Sequence, residues 1–137
     1  MAGPLLNNDR LFQTLLTEAL PDIDVAADLD ANTIESIPAV MHSSSVSQTV
    51  NADGLWEAIL TVHLFAEARG AFDLAAYVYA TIHSWGDLPL NGIVEGVGAV
   101  ETVADMNAIS RRSGEISMDN KQVVQYDGSF NLLIRKL

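Results

Sequence analysis

The segment VVQYDGSFNLLIRKL, at residues 123–137, constrains the fold more than any other stretch. Val124, Tyr126, Phe130, Leu132 and Ile134 fall in one register. Gln125, Asp127, Ser129, Asn131 and Arg135 fall in the other, interrupted only by Val123 and Leu133. Side chains alternate across a β-strand, so this pattern predicts a long strand with one buried and one polar face. A sheet has to exist for such a strand to join, and its apolar face needs something packed against it.

A second strand is nearly as clear. In LWEAILTVHLFAEA, Trp56, Ala58, Leu60, Val62 and Leu64 share one face, and Glu57, Ile59, Thr61, His63 and Phe65 share the other. Both faces are largely apolar, as expected of a central strand covered on both sides or buried in an assembly. Two helices are predicted. NNDRLFQTLLTEALP has an Asn cap at 7 or 8, Asp9 near the positive helix end, apolar stripes through Leu11, Leu15, Phe12, Leu16 and Leu20, and a stop at Pro21. AFDLAAYVYATIHSWG follows a break at Gly70 and ends at a Gly86 cap, with Phe72, Ala75, Ala76, Tyr79, Ile82 and His83 at helical spacing. With so little charge, this second helix is expected to be buried on more than one side.

The weaker segments complete the order. DIDVAADL reads as a strand with an acidic face or as an extended stretch. Pro38 opens a short strand, AVMHSSS, and a polar loop runs to the turn pair Asp53-Gly54. IVEGVGAVETVADM is strand-like, with glycines that invite a bulge. NAISRRSGEISMDNK loses all periodicity and is expected to protrude as a loop. The fold class is therefore α+β: a mostly antiparallel sheet with two main helices on one side, in a single domain over residues 1–137.

Composition narrows the function. The chain of 137 residues carries 18 acidic and 7 basic groups, a net charge of −11. Lys and Arg are too scarce for phosphate-backbone binding. No Lys or Arg lies between Arg10 and Arg69, whereas Asp22, Asp24, Asp28 and Asp30 lie in that gap; Arg111, Arg112 and Lys121 come late. These acidic and basic groups are either an ordinary solvated surface or candidate patches that meet across a subunit interface. No apolar run approaches the ~20 residues that span a bilayer, no signal peptide is evident at the N-terminus, and synthesis in the cytoplasm is expected. There is no cysteine. His42, His63 and His83 lack metal-ligand spacing, the aspartates of DIDVAADLD lack an EF-hand pattern, and no phosphate loop is present. The expectation is a protein with no catalytic residues, metal or cofactor.

The order of elements resembles the tail terminator, or tail completion, proteins of long-tailed bacteriophages, in the form found in phages of actinobacteria. The likeness runs from LLTEALPDI and SIPAVMHSSS through AILTVHLFAEARGAFDLAAYVYATI to QYDGSFNLLIRKL, with Glu67, Ala68, Ala75 and Ala76 at the strand-to-helix passage and Tyr126 near the start of the last strand. SRRSGEISMDN departs from the aromatic- and proline-rich approach of many relatives. The resemblance implies a virion structural protein that forms a hexameric ring on the head-proximal end of the tail tube. Its partners would be the tube protein and the head–tail connector, with genomic DNA passing through the lumen without specific binding. On that reading the polar face of the closing strand lines an acidic lumen or meets a neighbouring ring. A neck or head-completion protein is the nearest alternative; a small cytosolic enzyme or ligand-binding α+β domain is the alternative from another class.

Overall fold

A computed structural model describes residues 5–27, 37–48, 54–87, 90–112, 116–118 and 121–137. It is α+β, with helices α1 (Asn8–Ala19) and α2 (Ala68–Asp87). The strands are β1 (Asp24–Ala27), β2 (Ala39–Gln48), β3 (Leu55–Glu67), β4 (Ile93–Val94), β5 (Gly98–Arg111), β6 (Ile116–Met118) and β7 (Lys121–Lys136). They form one sheet in the order β1-β2-β3-β7-β5-β4, with β6 also paired to β7. Among the described strands only β1 and β2 run parallel; every other pair is antiparallel.

The two strongest strands of the sequence are the two at the centre. β3 pairs with β7 along its whole length, from Leu55 opposite Arg135 to Glu67 opposite Val123. Trp56, Ala58, Leu60, Val62 and Leu64 of β3 are buried, as are Phe130, Leu132 and Ile134 of β7. Leu11, Phe12, Leu15 and Leu16 of α1 and Val78, Ile82 and Trp85 of α2 close over that same face to make one core. Phe12 stacks on Trp85 with ring centroids 6.2 Å apart, tying the helices together beneath the sheet. α1 starts as its sequence dictates: Asn7 accepts the Arg10 amide at the cap, and the helix ends just before Pro21. No helix among the described residues is long and apolar enough to cross a membrane.

Five local expectations are corrected. Gly70 does not break the chain: α2 begins at Ala68 and Gly70 lies in its first turn. Gly86 is not a cap but lies inside the helix, where a Cβ would stand 3.0 Å from the Val103 amide nitrogen; the missing side chain lets α2 approach β5 closely. α2 is not buried on several sides either. Ala71, Ala75, Val78, Ile82 and Trp85 form one buried stripe, while Phe72 is 68% and Tyr77 53% exposed. Finally, residues 107–111 are not a loop but the far half of β5, and 116–118 form β6. Cross-strand bonding to β7 holds them extended although nothing in their hydrophobic pattern asks for it. β2 likewise runs on to Gln48, past the expected short strand.

Candidate functional site

The sheet register places the predicted charged residues. Asp24 of β1 pairs with Ala39 of β2, Ala39 with Phe65 of β3, and Phe65 with Gln125 of β7. The Gln125 carbonyl then accepts the Arg112 amide at 2.8 Å, just past the end of β5. Asp24 and Arg112 thus stand at the two ends of one rung that crosses the sheet. Four strand spacings separate them, roughly 19 Å at ~4.8 Å each. Both are exposed, as are Asp22 in the turn before β1 and Arg111 in the last position of β5. Lys121 opens β7, where its backbone pairs with Met118, on the same end of the sheet as Arg111 and Arg112. Asp28 and Asp30 lie outside the described residues. Of the groups picked from the sequence, the structure therefore brings Arg111, Arg112 and the Lys121 backbone to one end of the sheet on the β5 side. It puts Asp22 and Asp24 on the opposite edge.

Between these edges lies the sheet face turned away from the helices. Ser43 of β2, Thr61 of β3 and Ser129 of β7 share one rung; Ser45, Ile59 and Asn131 share another. Asn107 of β5 continues the first by donating to Ser129 Oγ at 3.2 Å. The carboxylates on this face are engaged. Glu57 accepts from Asn131 at 3.1 Å. Asp127 accepts from Gln125 at 2.7 Å and from the His63 ring at 2.6 Å, and Glu101 accepts from Arg135 at 2.7 Å. The closing strand's even dress of polar groups is thus one quarter of a broad face richer in hydroxyls and amides than in carboxylates. The acidic wall expected from net charge is not what the face presents.

One cluster escaped the sequence reading. On the helix side, Tyr79 donates to Asp105 Oδ2 at 2.5 Å, and the His83 ring donates to Oδ1 of the same carboxylate at 2.6 Å. Tyr79 and His83 are one helical turn apart on α2, so they reach the same point on β5; both rings also pack on Phe130. The spacing was visible, but only the pairing of β5 with β7 brings Asp105 opposite Phe130, under these rings. The Tyr79 hydrogen bond is the main influence holding the Asp105 carboxyl below its usual range, with help from His83 against the cost of partial burial. The same bond is the main cause raising the Tyr79 hydroxyl, with burial and the Asp105 charge acting alike. Asp105 stays ionised and Tyr79 stays protonated around neutrality, so neither is poised for acid–base work there. Chemically the arrangement is a tie between α2 and β5. A depressed carboxyl adds stability above its unfolded pKa of about 3.9 and loses it as pH falls through the lower folded value. The melting-temperature gap between the wild type and Asp105→Asn is accordingly expected to be largest above pH 5 and to close towards pH 2. A gap independent of pH would remove the carboxylate from this role.

His42 is buried, with Nε2 2.7 Å from Gln13 Oε1. Each histidine thus has a side-chain partner, and among the described residues no three His, Asp or Glu side chains converge as a metal site. Beside the Tyr79 tie, a shallow groove of about 290 Å³ is lined by Phe72, Ala75, Ala76, Tyr79, Ala108, Ile109 and Tyr126. It adjoins the Arg111 end of β5, whose partner on β7 is Tyr126. No protein-family model matches the chain, and a search of curated proteins finds no match either.

Proposed function

We propose that this chain is a structural subunit that closes head-to-tail into a ring, and that the ring caps the head-proximal end of a phage tail tube. The observation that carries the proposal is the rung joining Asp24 to Arg112. A closed ring of more than two copies needs two different, complementary patches on each subunit. Opposite charges at opposite ends of one rung provide them at a shared height, and rotation about an axis along the strands preserves height. Each acidic edge then meets the next copy's basic edge. Terminator function is the reading that unites this geometry with the resemblance of the sequence. It needs no chemistry, only a surface for the tube and one for the connector. A face of hydroxyls and amides whose charged groups largely pair with one another, Arg135 with Glu101 and His63 with Asp127, suits a wall along which DNA slides, since it offers phosphate few free cations.

Disruption of the gene in the phage that encodes it tests the reading, with tail lengths measured by electron microscopy. Tails that overrun their normal length are expected. Tails of normal length that never join heads would assign the protein to the neck instead. A gene lying in no phage or prophage would end the proposal. For the ring itself, Arg112→Glu is expected to shift the assembly towards monomer at low salt, and Asp24→Arg in the same chain to restore it. Exposed pairs contribute about 0.2–1 kcal/mol each, but a ring repeats the pair at every joint. Light scattering that shows no difference between Arg112→Glu and wild type would remove the pair from the joint.

A further inference from the structure

Phe72 is a large apolar side chain left 68% exposed on the β5 side of α2, where it lines the groove with Ala108 and Tyr126. Arg69 lies one turn earlier on the same face of the helix and is exposed, as is Arg112 just past β5. An apolar knob flanked by two cations stands out in a chain with a net charge of −11 and only 7 basic residues. Across the sheet, the corner where α1 leads into β1 has the complementary form. Ile23, Ile37, Pro38 and Leu74 help to line a cleft of about 270 Å³ there. Glu18, Asp22 and Asp24 at the same corner are exposed. The heights agree as well. Asp24, Ala39, Phe65 and Gln125 form the rung that ends at Arg112, and Pro38 at the cleft and Tyr126 at the groove each lie one residue from it.

We infer that Phe72 of one copy seats in the cleft at the α1–β1 corner of the next, with Arg69 and Arg112 around it meeting Glu18, Asp22 and Asp24. The inference rests on the ring reading above and gives that joint an apolar centre. Rotation about an axis along the strands preserves height, so the knob of each subunit comes to the recess of its neighbour. Charge selects the occupant: the recess is rimmed by carboxylates, and the apolar knob that carries cations is on a second copy of this chain. Side chains make the joint, not main-chain pairing. The Val25 carbonyl of β1 already accepts from Gln13 Nε2 at 2.8 Å. β5 shifts register against β7 twice between Asp105 and Ser110, and irregularity of this kind blunts a strand edge. An aromatic anchor inside a surround of charge pairs holds strongly for its size, because the surround keeps water from the centre.

Phe72→p-benzoylphenylalanine keeps an aromatic ring at the position and links on irradiation to what it touches. The irradiated protein is expected to run as a covalent dimer on a denaturing gel, with the link mapped by mass spectrometry to residues 20–25 or 37–38 of the second copy. A link between residue 72 of both copies would replace the joint with a symmetric pairing. Association is measured in parallel at 1 M salt, where screening acts over about 3 Å and the apolar centre carries more of the joint. Phe72→Ser is expected to weaken it there by about tenfold or more, the effect of removing an aromatic anchor. Leu90→Ser is the control: Leu90 is 87% exposed beside Val100, at the other end of the sheet, and its loss should change nothing. Rings that give no link to the corner, or that dissociate at the same salt concentration with and without Phe72, would overturn the joint and leave the ring reading standing. Protein that stays monomeric by light scattering at all concentrations would overturn both readings.

Discussion

Leu132→Asp is expected to abolish cooperative folding. Leu132 is 0% exposed at the middle of β7, opposite Ala58 of β3 on one side and Val103 of β5 on the other. It belongs to the core closed by both helices. A carboxylate there replaces a buried isobutyl group and must either stay charged without a partner or take up a proton. The lost burial costs about 2–5 kcal/mol on the scale of large-to-small core changes, and an uncompensated buried charge adds several more. Against the ~5–15 kcal/mol that holds a domain together, little remains. Circular dichroism should show no sigmoidal thermal transition. Leu133→Asp, one residue along and half-buried on the opposite face, should still melt cooperatively. A folded Leu132→Asp protein beside an unfolded Leu133→Asp protein would mean the strand's faces are reversed.

The second large effect is expected at Gly92. Its backbone adopts φ +71°, and a Cβ would stand 2.7 Å from Trp85 Cβ and 2.9 Å from the Trp85 carbonyl oxygen. Alanine there meets two penalties. The left-handed conformation costs roughly 1–2 kcal/mol for a residue with a side chain. The crowding falls on the helix end that carries Trp85, itself buried and stacked on Phe12, so relief displaces core rather than a flexible tip; overpacking of this kind costs about 1–3 kcal/mol. Gly96→Ala separates the two penalties, because Gly96 has φ +76° with nothing within 4 Å of the added carbon. Urea unfolding should place Gly96→Ala below wild type and Gly92→Ala well below both, with unchanged slopes. Equal midpoints for the two variants would show that the turn yields freely and that Trp85 is not braced by it.

The comparison of particular elements shows what kind of information a sequence carries. Trp56, Ala58, Leu60, Val62 and Leu64 alternate because one face of β3 is buried, and the same pressure marks Phe130, Leu132 and Ile134 of β7. The cap and stop of α1 were legible because both are local: Asn7 accepts an amide that the helix start leaves unpaired, and Pro21 has no N–H with which to continue the helix. Residues 107–111 of β5 were illegible because all but the half-buried Ile109 are exposed, so burial imposes no clear period on NAISR. Their extended form comes from hydrogen bonds to β7, a partner distant in sequence. The second helix misled for the opposite reason: its residues are apolar on the exposed side too, as Phe72 and Tyr77 demonstrate, so low charge was mistaken for burial all round.

The candidate site divides in the same way. The sequence by itself determined that acidic and basic groups are segregated along the chain, that no cysteine chemistry is available, and that an α+β sheet forms around two central strands. Only the tertiary structure decided that Asp24 and Arg112 share a rung and that Tyr79 and His83 meet Asp105. The physical reason is that periodicity records how each residue meets solvent within its own element. Register is a relation between elements, fixed by which strands pair and where, and no single strand contains it.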